Sequence, residues 1–167
     1  YDSGKPPAEA AHCREFNALA LKKAETMDTV ILASRWPDPG ERDLAADLTE
    51  TVGLLSSHVR RVFLIGATPD LPVAVPDCLW RKALQECQVA REQFVARSTA
   101  IRSLLSSLSA KYPNVTYVEP IDFFCNQRTC PATRDGIALY WDKHHIASTA
   151  AAAFGKAYLA DKSDRDL

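Results

Sequence analysis

Apolar residues recur along the chain with two different periods, and the places where the period changes mark its elements. "TVILAS", residues 29–34, is β-branched and apolar, with polar residues before it and "RWPDPG" after, and predicts a buried strand. Across residues 41–59, Leu44, Leu48, Val52 and Leu55 fall at helical spacing. "RVFLIGATP", residues 61–69, predicts a second buried strand running into a glycine-containing turn. The proline-rich "DLPVAVPDC" that follows reads as a long surface loop. From Leu79 to about Ser109 the pattern is helical, and Phe94, Ile101, Leu105 and Leu108 mark its later apolar face. "NVTYVEP", residues 114–120, predicts a third strand.

Residues 121–136 show no period and read as a loop. "IALYWD" reads as a short strand or extended entry, and "STAAAAFGKAYL" as a helix with Phe154 and Tyr158 on one face. Ser148 or Thr149 is suited to cap that helix. Gly155 in its middle costs about 1 kcal/mol of propensity relative to alanine, which close packing against a sheet would explain. "DKSDRDL" ends the chain as a charged tail.

This alternation of strands and helices predicts an α/β fold, layered about a mainly parallel sheet. Ligands in such folds sit beyond the carboxyl ends of the strands. Those ends are Arg35 and Trp36, residues 66–69, and the loop after Pro120, while Asp142 and His145 could swing over them. The 167 residues suit one domain without linker or repeat. With 47% hydrophobic and 25% charged residues, the composition is that of a globular chain rather than a disordered one. A net charge of -1 gives no long-range attraction to nucleic acid or anionic lipid. No apolar run reaches the roughly 18 residues of a membrane span, and no signal peptide opens the chain.

Five cysteines, Cys13, Cys78, Cys87, Cys125 and Cys130, cannot all pair within one chain. Buried thiols in a reducing compartment are one reading. The other is two local disulfides, Cys78–Cys87 and Cys125–Cys130, in an oxidising one. That second reading leaves Cys13 to a partner lying before residue 1. Zinc fits poorly, because there is neither a repeated CxxC nor a helical HExxH, and no metal or other cofactor is expected.

The chemistry-bearing stretch is "WDKHHIAS". A neutral imidazole removes a hydroxyl proton, and a carboxylate on its other nitrogen fixes the tautomer. Three residues of separation lets a turn bring Asp142 beside His145, with His144 facing solvent or substrate. The bland reading is a polar approach to a helix. No GxSxG or convincing GDS accompanies the pair. Ser3 in "YDSG" lacks a preceding hydrophobic strand that would make it a nucleophile elbow.

"DTVILASRW", "RVFLIGATPDLPVAVPDCL" and "CNQRTCPATRDGIALYWDKHHIASTAAAAFG" resemble, in content and order, the SGNH-like domain at the C-terminus of membrane acyltransferase-3 proteins. The resemblance spans most of residues 13–160. It implies a three-layer αβα sandwich of the SGNH hydrolase type, on the periplasmic or extracytoplasmic side of a bacterial membrane protein. The implied function is transfer of an acyl group, typically acetyl, to carbohydrate hydroxyls of surface polysaccharide. The family's Asp-x-x-His falls on Asp142 and His145, and its early arginine and tryptophan fall on Arg35 and Trp36 near the substrate. The family's Gly-Asp-Ser-His strand has no counterpart here. Residues 1–167 are thus expected to be the C-terminal portion of one SGNH-like domain. An upstream part would supply the serine and a cysteine for Cys13, and a membrane acyltransferase domain would be the further partner. A carbohydrate O-acyl esterase and a non-catalytic polysaccharide- or partner-binding domain are the alternatives.

Overall fold

The computed structural model describes residues 6–36, 44–81 and 84–159. Its centre is a parallel sheet of β1 (Thr29–Leu32), β2 (Arg61–Ile65) and β4 (Val115–Val118), in that spatial order. The pairing is in register, with Val30 opposite Val62 and Val62 opposite Val115. Around it lie α1 (Pro7–Ala24), α2 (Leu44–His58), α3 (Val75–Arg81), α4 (Arg91–Lys111), α5 (Ile121–Phe124) and α6 (Ser148–Tyr158). Two short antiparallel pairs complete the fold, β3 (Val89–Ala90) with β5 (Thr129–Cys130), and β6 (Thr133–Arg134) with β7 (Ile137–Ala138).

The period of two in β2 creates the three layers. Val62 and Leu64 point into a core with Leu48, Val52 and Leu55 of α2 and Ile101, Leu105 and Leu108 of α4. Phe63 and Ile65 point the other way, into a core with Val75 of α3, Phe124 of α5 and Phe154 of α6. The fold is therefore a three-layer αβα sandwich, as the resemblance implies. Asn114 helps set the strand edges by donating from Nδ2 to the carbonyls of Ser56 and Val59, each at 2.9 Å, where α2 ends.

Several elements differ from the sequence expectations. The expected surface loop over residues 70–78 instead folds from Val75 into α3, with Leu71, Val75 and Cys78 buried. Pro76 is compatible because it falls in the first helical turn, where an N–H has no intrahelical partner. The long helix expected from Leu79 is two helices. The chain turns at the Cys78–Cys87 disulfide, pairs Val89 with Cys130, and restarts as α4 at Arg91.

The aperiodic stretch after Pro120 holds α5, β5 and β6. β6 and β7 are joined through Asp135 and Gly136 at φ 50° and 77°, the left-handed pair a two-residue hairpin requires. Ala147, not Ser148 or Thr149, stands at the N-cap of α6, with no side-chain cap. Gly155 has no sheet against it, since a Cβ there would meet nothing within 4 Å. α1, before Thr29, leaves no apolar period in the sequence, because it carries no apolar stripe; its Phe16 and Leu19 are exposed. Ser3, the "PDPG" stretch and the charged tail lie outside the described residues.

Candidate functional site

The site is a five-residue loop closed on itself. Tyr140 and Ile146 form an antiparallel bridge, and Trp141 N–H donates to the His145 carbonyl at 2.7 Å. Inside this closure Asp142 Oδ1 accepts the backbone N–H groups of His144 (2.9 Å) and His145 (2.8 Å). Its second oxygen, Oδ2, lies 2.7 Å from His145 Nδ1. An aspartate at this position satisfies a turn and holds a ring at once, which explains the tight geometry of "DKHH".

The backbone N–H of His144 first, then that of His145 and its ring, hold the Asp142 carboxyl well below the usual carboxylate range. An ionised Asp142 can only accept, so Nδ1 of a neutral His145 carries the proton and Nε2 carries the lone pair. The His145 side chain is 70% exposed. The His144 ring stands apart from this arrangement. Its Nδ1 is 3.9 Å from Asp142 Oδ1, beyond hydrogen-bond range, and its ring centroid is 4.3 Å from that of His145.

The loop is fastened to the rest of the fold through its backbone. Leu71 N–H donates to the Lys143 carbonyl at 2.7 Å, and Val75 N–H to the Asp142 carbonyl at 3.4 Å. The connection from β2 to α3 therefore lies alongside the acid–histidine pair. The same connection carries Asp70, which receives Arg35 through both oxygens, from Nε at 3.2 and 3.1 Å and from Nη2 at 2.9 Å. Arg35 thus reaches the carboxyl end of β2, but with its guanidinium already engaged by a carboxylate. Trp36 donates its indole N–H to the Ile65 carbonyl at 2.8 Å and packs part-buried against the α2–α4 core.

Asp70 was missed by sequence reasoning, although it lies one residue beyond the strand-end segment 66–69. Tyr140 was missed too. Its ring is buried beneath the loop, and its hydroxyl has no hydrogen-bond partner among the described residues. Burial, then the charge of Asp70, push its phenol up, so it stays protonated.

Asp142, His144 and His145 also present donor atoms within 4.8 Å of one another, a cluster that could hold a metal ion. Both predicted disulfides are formed, Cys78–Cys87 and Cys125–Cys130, and Cys13 lies part-buried on α1 outside those pairs. Among the described residues no helix is long and apolar enough to cross a membrane. The family profile described as "SGNH domain (fused to AT3 domains)" matches residues 1–160. No curated protein and no solved structure matches the chain.

Proposed function

Since the chain belongs to the family of SGNH domains fused to AT3 domains, an extracytoplasmic module of membrane acyltransferases, we propose that it supplies the base and its orienting acid for acyl transfer to carbohydrate hydroxyls. The observation that carries this reading is the 2.7 Å contact between Asp142 Oδ2 and His145 Nδ1, in a loop that leaves the rest of the imidazole open. His145 Nε2 takes the proton of a serine hydroxyl as the oxygen attacks the acyl carbonyl. The imidazolium returns it to the leaving group, and an acyl-serine remains. In the second half His145 deprotonates a sugar hydroxyl, which attacks the acyl-serine, and the serine recovers its proton. Asp142 holds the tautomer and stabilises the imidazolium in both halves.

No Gly-Asp-Ser occurs among the 167 residues. In this reading the serine comes from another part of the same SGNH domain, of which residues 1–167 form the C-terminal portion. Acetyl is the proposed acyl group, a surface polysaccharide the acceptor, and the periplasm the setting. Arg35 is proposed to act near the acceptor as part of its ion pair with Asp70, and Trp36 by shaping the wall beside it. His144 is proposed to face the sugar. The lack of a Gly-Asp-Ser in the sequence favours one second reading, a non-catalytic polysaccharide-binding domain that has kept the fold.

The test is His145→Ala beside His144→Ala in the full-length protein, with acyl transfer to polysaccharide and trapping of an acyl-serine as readouts. Loss of His145 is expected to lower transfer by about 10³-fold or more, with the fold intact. His144→Ala should retain most turnover. Full activity in the His145 variant would remove the base assignment and leave the binding-domain reading.

A further inference from the structure

A groove of about 550 Å³ lies along α4 beside β4, the strand at the far edge of the sheet from β1. One wall is the α4 face bearing Arg102, Ser103, Ser106 and Ser107, and the other is formed by Tyr117 and Glu119. Its lining runs along α4 from Thr99 to Ala110, roughly 16 Å at the rise of a helix. Glu119 follows the carboxyl end of β4, so one end of the groove opens toward the end of the sheet where ligands collect.

The polar groups here are fixed and electrically balanced. Arg102 Nε donates to Glu119 Oε2 at 2.5 Å, and the Tyr117 hydroxyl donates to the same oxygen at 2.7 Å. Glu119 Oε1 accepts the Ile121 N–H at 3.3 Å, which holds the carboxylate in place. Burial, then Glu119, push the Tyr117 phenol up, so it remains a donor. Ser107 donates to the Leu104 carbonyl at 2.7 Å and keeps acceptor capacity, while Ser103 and Ser106 are exposed residues. Such a wall offers donors and acceptors in alternation, carries no net charge, and has no large aliphatic side chain to seat an apolar helix.

We infer that this groove binds a stretch of neutral oligosaccharide, a subsite that holds the acceptor polymer away from the reacting atoms. The inference rests on the carbohydrate-acceptor reading above and adds a second point of contact to it. An uncharged chain of vicinal hydroxyls matches the outer N–H groups of Arg102, the serine hydroxyls and the Tyr117–Glu119 edge. An anionic glycan would meet the Glu119 carboxylate without a surplus cation to offset it.

The experiment compares wild type with Ser106→Trp, which fills the groove from an exposed position, in the full-length protein. Acyl transfer is measured to a neutral polysaccharide and to a monosaccharide acceptor, and binding of uncharged glucose, galactose and mannose pentamers is followed by NMR shifts of α4 amides. The expected result is at least a tenfold higher KM for the polymer, with kcat and the monosaccharide KM unchanged and pentamer shifts lost. An unchanged polymer KM, or α4 shifts produced only by anionic oligosaccharides, would overturn the groove. Loss of turnover in His145→Ala together with an unchanged polymer KM in Ser106→Trp would sink the groove and spare the proposed chemistry. No transfer to any sugar, with no pentamer bound, would remove both.

Discussion

Asp142 accepts two backbone N–H groups and one imidazole within five residues, so its charge is built into the loop rather than resting on its surface. Replacement by asparagine keeps the shape but turns an N–H toward His145 Nδ1 and selects the wrong tautomer. Turnover of the full-length protein should fall by about 10⁴-fold, with a near-native circular dichroism spectrum. The pH dependence has a definite sign. A carboxyl whose folded pKa lies below its ordinary 3.8 contributes stability above that value and loses it as pH falls through the folded pKa. The melting difference between wild type and Asp142→Asn should hold steady above about pH 5 and vanish in strong acid; a difference that grows on acidification would contradict it. The Asp142–His145 spacing was legible because three residues make one turn. Asp70 was not, because Arg35 finds it across 35 positions of chain, a pairing that only tertiary packing sets.

Two glycines separate the packing demands of neighbouring elements. Gly66 follows β2 and donates its N–H to the Val118 carbonyl at 2.9 Å. A Cβ there would stand 2.8 Å from Pro120 Cδ and 2.9 Å from the Tyr117 hydroxyl. Gly66→Ala should cost about 1–3 kcal/mol, as overpacking does, whereas Gly155→Ala in open space should stabilise α6 by up to about 1 kcal/mol. Paired denaturant melts check both, and opposite signs are the expected outcome. The apolar periods of α2 and the later part of α4 were readable in sequence because each buries one regular stripe, and β2 was readable as a continuous apolar run because both of its faces are buried. α3 was hidden behind Pro76, a residue that marks loops and first helical turns alike. The β6–β7 hairpin did carry a local signal, the Asp135–Gly136 dipeptide, but its strands are two residues each, too short for a period to appear.

The sheet divides the molecule into two cores of different construction. All four paired cysteines lie in the core beneath α3, α5 and α6, while the α2–α4 core has no disulfide among its described residues. Chain-closure arguments give each short disulfide about 2–3 kcal/mol. Reduction should therefore loosen one half of the protein first. Hydrogen exchange should show lost protection in α3, α5 and the 140–146 loop while amides of α2 and the later part of α4 stay slow; uniform loss would contradict the division. The α/β layering about a mainly parallel sheet was visible in the sequence as an order of strands and helices, but which core would hold the cysteines depended on which face of β2 they meet. One link in this arrangement joins the Asp142–His145 loop to the disulfide-bearing core. Val75, in the first turn of the helix that carries Cys78, donates its N–H to the carbonyl of Asp142. The loop of Asp142 and His145 is thus braced by a segment that is held both by core packing and by a disulfide. A chain newly made among reducing thiols would hold this brace by the burial of Leu71 and Val75 alone, before the Cys78–Cys87 bond forms. The Asp142–His145 contact, made within its own loop, would form early, and the oxidation that follows would stiffen the wall it leans on.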